Sequence, residues 1–301
     1  MTERTIDESP SPEPAGELRS KPSTGLIDPA KTSRVFDPRT YWDARLRRDW
    51  TLHGVGLLAA TTSWNEALYR VRGQVFQRVV ATLGTDLSKA SVLEVGPGTG
   101  FYLEQWKKQE VRALSGLDIA ASAVAQLSQK FPDVEMSCGD VCEDVSALRE
   151  SQPQGFDVVS AFDVLFHVMD DDKYEQAFKN VESLLAPGGW FVFSEKFLHR
   201  PTQRRANYVN RSIEDTTAAV LDAGLVPVRR LPMFYLMTYP SDAARPWQRT
   251  LHQRVVQPFT TSERWGRLAG AVLGRIDLAL TALVAESPTT EIMICRKPTA
   301  G

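Results

Sequence analysis

Cysteine is scarce in this chain. Cys138, Cys142 and Cys295 are the three among 301 residues, which excludes a disulfide-stapled architecture and fits a reducing, cytoplasmic setting. Cys138 and Cys142 have no second pair and no histidine nearby, so no metal site is expected. Long apolar runs are missing as well. None reaches the roughly 18 residues that span a bilayer, and Met1 to Pro10 holds no apolar stretch of the secretory kind. Nor is there an excess of one charge. Lys+Arg is 35 and Asp+Glu 37, a net charge of −2, which argues against the basic footprint of a nucleic-acid binder. At 43% hydrophobic residues the chain is too apolar to be disordered throughout.

Composition divides what remains. Residues 1–35 carry prolines at 10, 12, 14, 22 and 29 among mixed charges and hydroxyls, with no helix or strand period. A disordered tail is expected there. Residues 36–88 read as an N-terminal helical segment. Thr40 to Leu46 is a short helix whose Tyr41 and Trp42 suit the wall of a substrate site. A longer helix follows from Ser63 to Leu83, with Trp64, Leu68, Val71, Val75, Phe76 and Val79 on one face. Arg70, Arg72 and Arg78 are read as its solvated side.

From residue 89 to 234 strands and helices alternate. Strands are expected at 91–95, 111–117, 134–137, 156–162, 190–195 and 226–231, and a last one at 290–296 in the closing segment 289–301. Helices fall between them. This is the pattern of an α/β, Rossmann-like, doubly wound sheet. Residues 235–288 exceed what a hairpin needs. Trp265, Leu268, Val272, Ile276, Leu280 and Leu283 make a stripe on a long helix, so a helical cap over the ligand crevice is expected. Its polar face does not read as strongly basic, and a membrane-surface role is set aside.

The strongest motif is Val92-Leu93-Glu94-Val95-Gly96-Pro97-Gly98-Thr99-Gly100-Phe101. An apolar strand enters a turn with glycines at alternate positions, and a helix follows. Gly96 allows a tight turn, Gly98 allows a ligand near the backbone, and Gly100 allows close helix–strand packing. The dinucleotide fingerprint needs its third glycine one residue later, where Phe101 stands. Asp118 ends the second strand about 20 residues on, where an acid accepts from a ribose diol. Asp140 follows the third strand and can accept from the exocyclic amine of adenine.

Together with Phe156 to Val168 and Leu184-Leu185-Ala186-Pro187-Gly188-Gly189, these residues resemble the class I S-adenosylmethionine-dependent methyltransferases. The resemblance runs in order over 88–235 and the last strand. It implies seven strands with the last antiparallel, S-adenosylmethionine as cofactor and S-adenosylhomocysteine as product. It also implies roles. Gly96, Gly98 and Gly100 would pass the methionyl part, and Glu94 would hold its amino group. Asp118 would bind the ribose, with Ile119 against the adenine, and Asp140 and Val141 would line the adenine pocket. Phe162 would lie near the sulfonium.

Methyl transfer from a sulfonium is a direct displacement, so a base is needed only where the acceptor loses a proton. His167 and Glu195, after the fourth and fifth strands, are the catalytic candidates. Asp163 and His199 join Tyr41 and Trp42 as substrate-binding candidates. The fourth strand ends Ser160-Ala161-Phe162-Asp163 and lacks the Asn/Asp-Pro-Pro-aromatic box of enzymes that methylate DNA amines. A small-molecule hydroxyl acceptor is therefore expected, with neither nucleic acid nor membrane as partner. The alternatives are carbon or nitrogen methylation, including of a phosphorylated isoprenoid, and a non-catalytic module that binds the cofactor. A nicotinamide oxidoreductase is disfavoured by Phe101. Arg200, Arg204, Arg205, Arg211, Arg229 and Arg230 could bind an anionic group on the acceptor, with solvated surface as the other reading.

Overall fold

Three helices precede the sheet in the computed structural model, which describes residues 36–299. The expected disordered tail lies outside the described residues. The helices are α1 (Pro38–Arg48), α2 (Leu52–Val55) and α3 (Thr62–Ala81). Asp37 caps α1 by accepting from the Arg39 and Thr40 N–H groups, and Pro38 at the first position needs no donor. The alternating core then runs β1 (Ser91–Val95), α4 (Phe101–Lys107), β2 (Ala113–Asp118), α5 (Ala121–Lys130), β3 (Glu135–Cys138), α6 (Ser146–Ser151), β4 (Phe156–Ala161), α7 (Asp171–Leu184) and β5 (Leu185–Glu195). A short ribbon, β6 (Gln203–Arg204) with β7 (Val209–Asn210), follows. The chain continues through α8 (Ile213–Asp222), β8 (Val226–Pro232), α9 (Pro246–Leu251), a π-helical turn at His252–Val256, α10 (Gln257–Thr260), α11 (Glu263–Leu283) and β9 (Glu291–Arg296).

Seven strands form one sheet in the order β3-β2-β1-β4-β5-β9-β8. The pairs from β3 to β5 are parallel, and β9 runs antiparallel to both β5 and β8. The expected doubly wound sheet with an antiparallel last strand is what forms. Burial on both faces explains why the strands read as continuous apolar runs. Val92, Val158, Val192 and Ile294 face α3, α4 and α11, whereas Leu93, Val159, Phe191 and Cys295 face α7 and α8. Strand order reverses between β1 and β4, and the crevice beyond their carboxyl ends is where such sheets bind ligands.

The insertion between β8 and β9 is helical as expected, but it packs differently. Helix α11 lies on α3 through its small residues. A Cβ added at Gly270 would come within 2.6 Å of the Ala67 Cβ, so glycine sets the helix separation. Gly266, Gly270, Gly274, Asp277 and Thr281 are buried, while Trp265, Leu268, Val272, Ile276 and Leu283 face outward. Apart from the half-buried Leu280, the apolar stripe read from the sequence is thus the solvent face.

Candidate active site

A cavity of about 490 Å³ opens at the carboxyl ends of β1, β2, β3 and β4. The glycine turn forms its floor. Gly96 has φ +65°, and a Cβ there would stand 2.5 Å from the Val164 side chain, so no other residue fits without displacing the loop after β4. Gly98 also lines the cavity, and a Cβ on it would reach Val55 at 3.0 Å. Gly100 is not in the wall. Its absent Cβ makes room for Phe131 and Leu127, so it serves helix packing and not the cofactor contact assigned to it.

Asp118 ends β2 at the cavity edge. Its Oδ2 accepts from the Gly98 N–H at 3.1 Å and its Oδ1 from the Ala120 N–H at 2.8 Å. Burial raises its pKa to about 6, partly offset by those two donors, so it is ionised at neutral pH. Each carboxylate oxygen keeps acceptor capacity beyond one N–H. Ile119, Asp140 and Val141 line the same end of the cavity, where Asp140 Oδ1 accepts from the Cys142 N–H. The residues present fit a nucleoside: one acid for the diol, a second beyond it, and apolar side chains for a flat ring. Helix α1 roofs this end with Pro38, Arg39 and Trp42, and Arg39 bonds to the Ile119 carbonyl and Glu143.

Much of the remaining wall is aromatic. Phe162 stacks on Tyr102 with ring centroids 4.1 Å apart, and Tyr69 meets Phe101 edge-on. Trp42 stands edge-on to His167 at 5.1 Å. His167 Nδ1 lies 2.8 Å from the Asn207 carbonyl, which makes Nδ1 the donor and leaves the Nε2 lone pair free. Burial pushes the imidazole pKa down to about 4, so His167 is neutral at working pH.

Asp163 also lines the cavity, in a left-handed conformation with φ +60°. Arg72 donates to its Oδ2 from both Nε and Nη2, at 3.0 and 2.6 Å, and Ser194 Oγ accepts from its N–H. Burial works against the Arg72 charge, but the Asp163 carboxylate more than offsets it and holds the pKa above the ordinary arginine value. Tyr69 and Phe234 flank the guanidinium at 4.9 Å. Arg72 is therefore no solvated residue. Arg78 is exposed and bonds to the Leu278 carbonyl of α11.

Besides Gly100, four expected site residues lie elsewhere. Glu94 is buried between β1, β4 and α4, with Trp106 Nε1 donating to it at 3.1 Å and Ser160 bonding to the same oxygen. Burial raises its pKa to about 8, and it does not line the cavity. Glu195 points to the opposite sheet face, toward Tyr174 and Arg211, and burial again raises its pKa to about 8. Alternation along β5 turns Ser194, not Glu195, toward the crevice. His199 pairs with Asp242 at 2.7 Å and ties the loop after β5 to the segment after β8. Tyr41 accepts from Arg45 at 3.0 Å and lies outside the cavity wall, unlike its neighbour Trp42.

The remaining basic residues do not converge on an anion site. Arg204 and Arg211 share Asp171, and Arg230 pairs with Glu286 and Glu291. No residue of 235–288 lines the cavity, so the insertion does not cover it. Among the described residues, no cluster of three or more metal-ligating side chains exists, and no helix is long and apolar enough to cross a membrane.

Residues 93–191 match the family model described as a methyltransferase domain. That match covers the glycine turn, Asp118, Asp140 and the loop after β4. Residues 93–191 therefore form a methyltransferase domain of the class I S-adenosylmethionine-dependent kind. The chain is similar to the ubiquinone biosynthesis O-methyltransferase of Paracidovorax citrulli, 28% identical over 57% of this chain and 63% of that protein. It is similar also to the protein of that name from Albidiferax ferrireducens, 33% identical over 57% of this chain and 60% of that one. The chain thus spans about three fifths of the length of these curated relatives. A solved structure titled as a putative sarcosine dimethylglycine methyltransferase from Galdieria sulphuraria is 14% identical, with TM-score 0.48 over 75% of this chain and 85% of that one.

Proposed function

We propose that this chain transfers a methyl group from S-adenosylmethionine to a hydroxyl oxygen of a small-molecule acceptor. The observation that carries this reading is one cavity lined by Asp118, Asp140 and His167 together. The relatives' printed name, an O-methyltransferase, agrees with it. Bound S-adenosylmethionine supplies a methyl group already on a good leaving group.

The chain's own residues supply alignment and a dry site. Asp118 accepts from the ribose hydroxyls, Ile119 and Val141 hold the adenine faces, and Asp140 takes its amine. Tyr69, Phe101 and Phe162 wall the acceptor, and Trp42 reaches from the nucleoside end to His167. His167 keeps Nδ1–H on the Asn207 carbonyl and presents Nε2 to the acceptor hydroxyl. With a pKa of about 4 it stays unprotonated, and it takes the proton as the oxygen is methylated.

Labelled methyl transfer into phenols, aliphatic alcohols, amines and activated carbons tests this. Oxygen methylation is expected, and His167→Ala should lower kcat by about 10²–10⁴-fold with little change in KM. A base that must be neutral loses activity only as pH falls toward its own pKa. The wild-type profile should therefore be flat through pH 6.5 and decline toward about 4. Methylation of nitrogen or carbon alone, or a His167→Ala enzyme with full kcat, would overturn the assignment.

A further inference from the structure

Helix α11 has three sides. The buried side, with Gly266, Gly270, Gly274 and Asp277, rests on α3. At 100° per residue, Trp265, Leu268, Val272, Ile276 and Leu283 fall on the opposite side. All are exposed, Trp265 by 54% and Leu283 by 82%. Arg264, Arg267 and Arg275 fall between the two, along one flank. The preceding helical run repeats the composition, with Trp247, Leu251 and Val255 exposed beside Arg245, Arg249 and Arg254. Leu57 and Leu58, also exposed, join the same end, where the Thr61 N–H donates to the Thr260 carbonyl at 2.8 Å.

Charge on this insertion is one-sided. None of these arginines has an ion-pair partner among the described residues. The acids are engaged. Glu263 takes the Thr62 and Ser63 N–H groups, Asp277 three backbone N–H groups, Asp242 His199, and Glu286 Arg230. In a chain of net charge −2, this leaves two cationic helices with exposed apolar side chains, each bearing a tryptophan, at the surface.

We propose that the α9–α11 face is a peripheral docking surface for an anionic lipid bilayer. Tryptophan and leucine side chains would enter the boundary between headgroups and acyl chains, with the arginines on lipid phosphates. The sequence alone disfavours this role, because the polar face of the helix does not read as strongly basic. Burial of the glycine side leaves arginines as the flank of an outward apolar face.

Flotation of the full chain with vesicles tests this. Expected is binding to vesicles of phosphatidylcholine mixed with phosphatidylglycerol, reversed by salt, and none to phosphatidylcholine alone. Trp265→Glu with Val272→Glu should lower the bound fraction about tenfold, leaving S-adenosylhomocysteine binding unchanged. Arg264→Gln, Arg267→Gln and Arg275→Gln together should do the same and stand in should the first variant not fold. No binding to anionic vesicles would overturn the proposal. So would a wild-type dimer in sedimentation that Trp265→Glu with Val272→Glu converts to monomer, because a second copy would then cover this face.

Discussion

Asp277→Ala is expected to lower unfolding free energy by roughly 3–5 kcal/mol, a fall in Tm on the order of 10 °C. The carboxylate is wholly buried on α11 and accepts from the Tyr235, Leu236 and Met237 N–H groups at 2.7, 2.8 and 3.3 Å. Burial raises its pKa to about 6, with the three donors pulling it back, so it is charged at pH 7.5. Alanine leaves three backbone donors without an acceptor, each facing the desolvation cost of an orphaned group. The segment after β8 then loses its tie to the insertion. Thermal unfolding at pH 7.5 reads the effect. A change below about 1 kcal/mol would show that water replaces the carboxylate at no net cost.

Arg72→Met is expected to cost about 2–4 kcal/mol and to weaken acceptor use. Methionine keeps most of the volume between Tyr69 and Phe234 but leaves the Asp163 carboxylate without its counter-charge in the cavity wall. Because Asp163 is a quarter exposed, the loss sits below that of a fully buried pair. The double variant Arg72→Met, Asp163→Asn removes both charges and should recover part of the stability. A coupling of at least about 1 kcal/mol in that cycle is expected. Additive single effects would show that Arg72 acts through packing alone.

Much of the frame is legible because burial writes it into the chain. Strands covered on both faces read as unbroken apolar runs, and β1 and β5 fall where Ser91–Val95 and Trp190–Glu195 predict, with β5 extended backward to Leu185. The glycine turn is legible because backbone geometry restricts what fits there. What is lost depends on direction. Glu195 and Ser194 are adjacent, and only the register of β5 says which faces the crevice. Arg72 was in fact visible: at 100° per residue it falls between Leu68 and Phe76, inside the apolar arc of α3. A charge in that arc signals a buried partner, and Asp163, 91 residues away, is not local enough to suggest itself. Helix α11 misleads for the opposite reason. Its larger apolar stripe suggests the core, while the glycines at four-residue spacing mark the true contact.

Titration of S-adenosylhomocysteine into the full chain by calorimetry, beside NAD and beside Asp118→Asn, tests the cavity's assignment most directly. The nucleoside thioether should bind and NAD should give no heat. Asp118→Asn should weaken binding roughly tenfold or more, since a charge-assisted ribose contact becomes a neutral one. Preference for NAD, or an affinity for the thioether that Asp118→Asn leaves unchanged, would contradict a cofactor site at the end of β2.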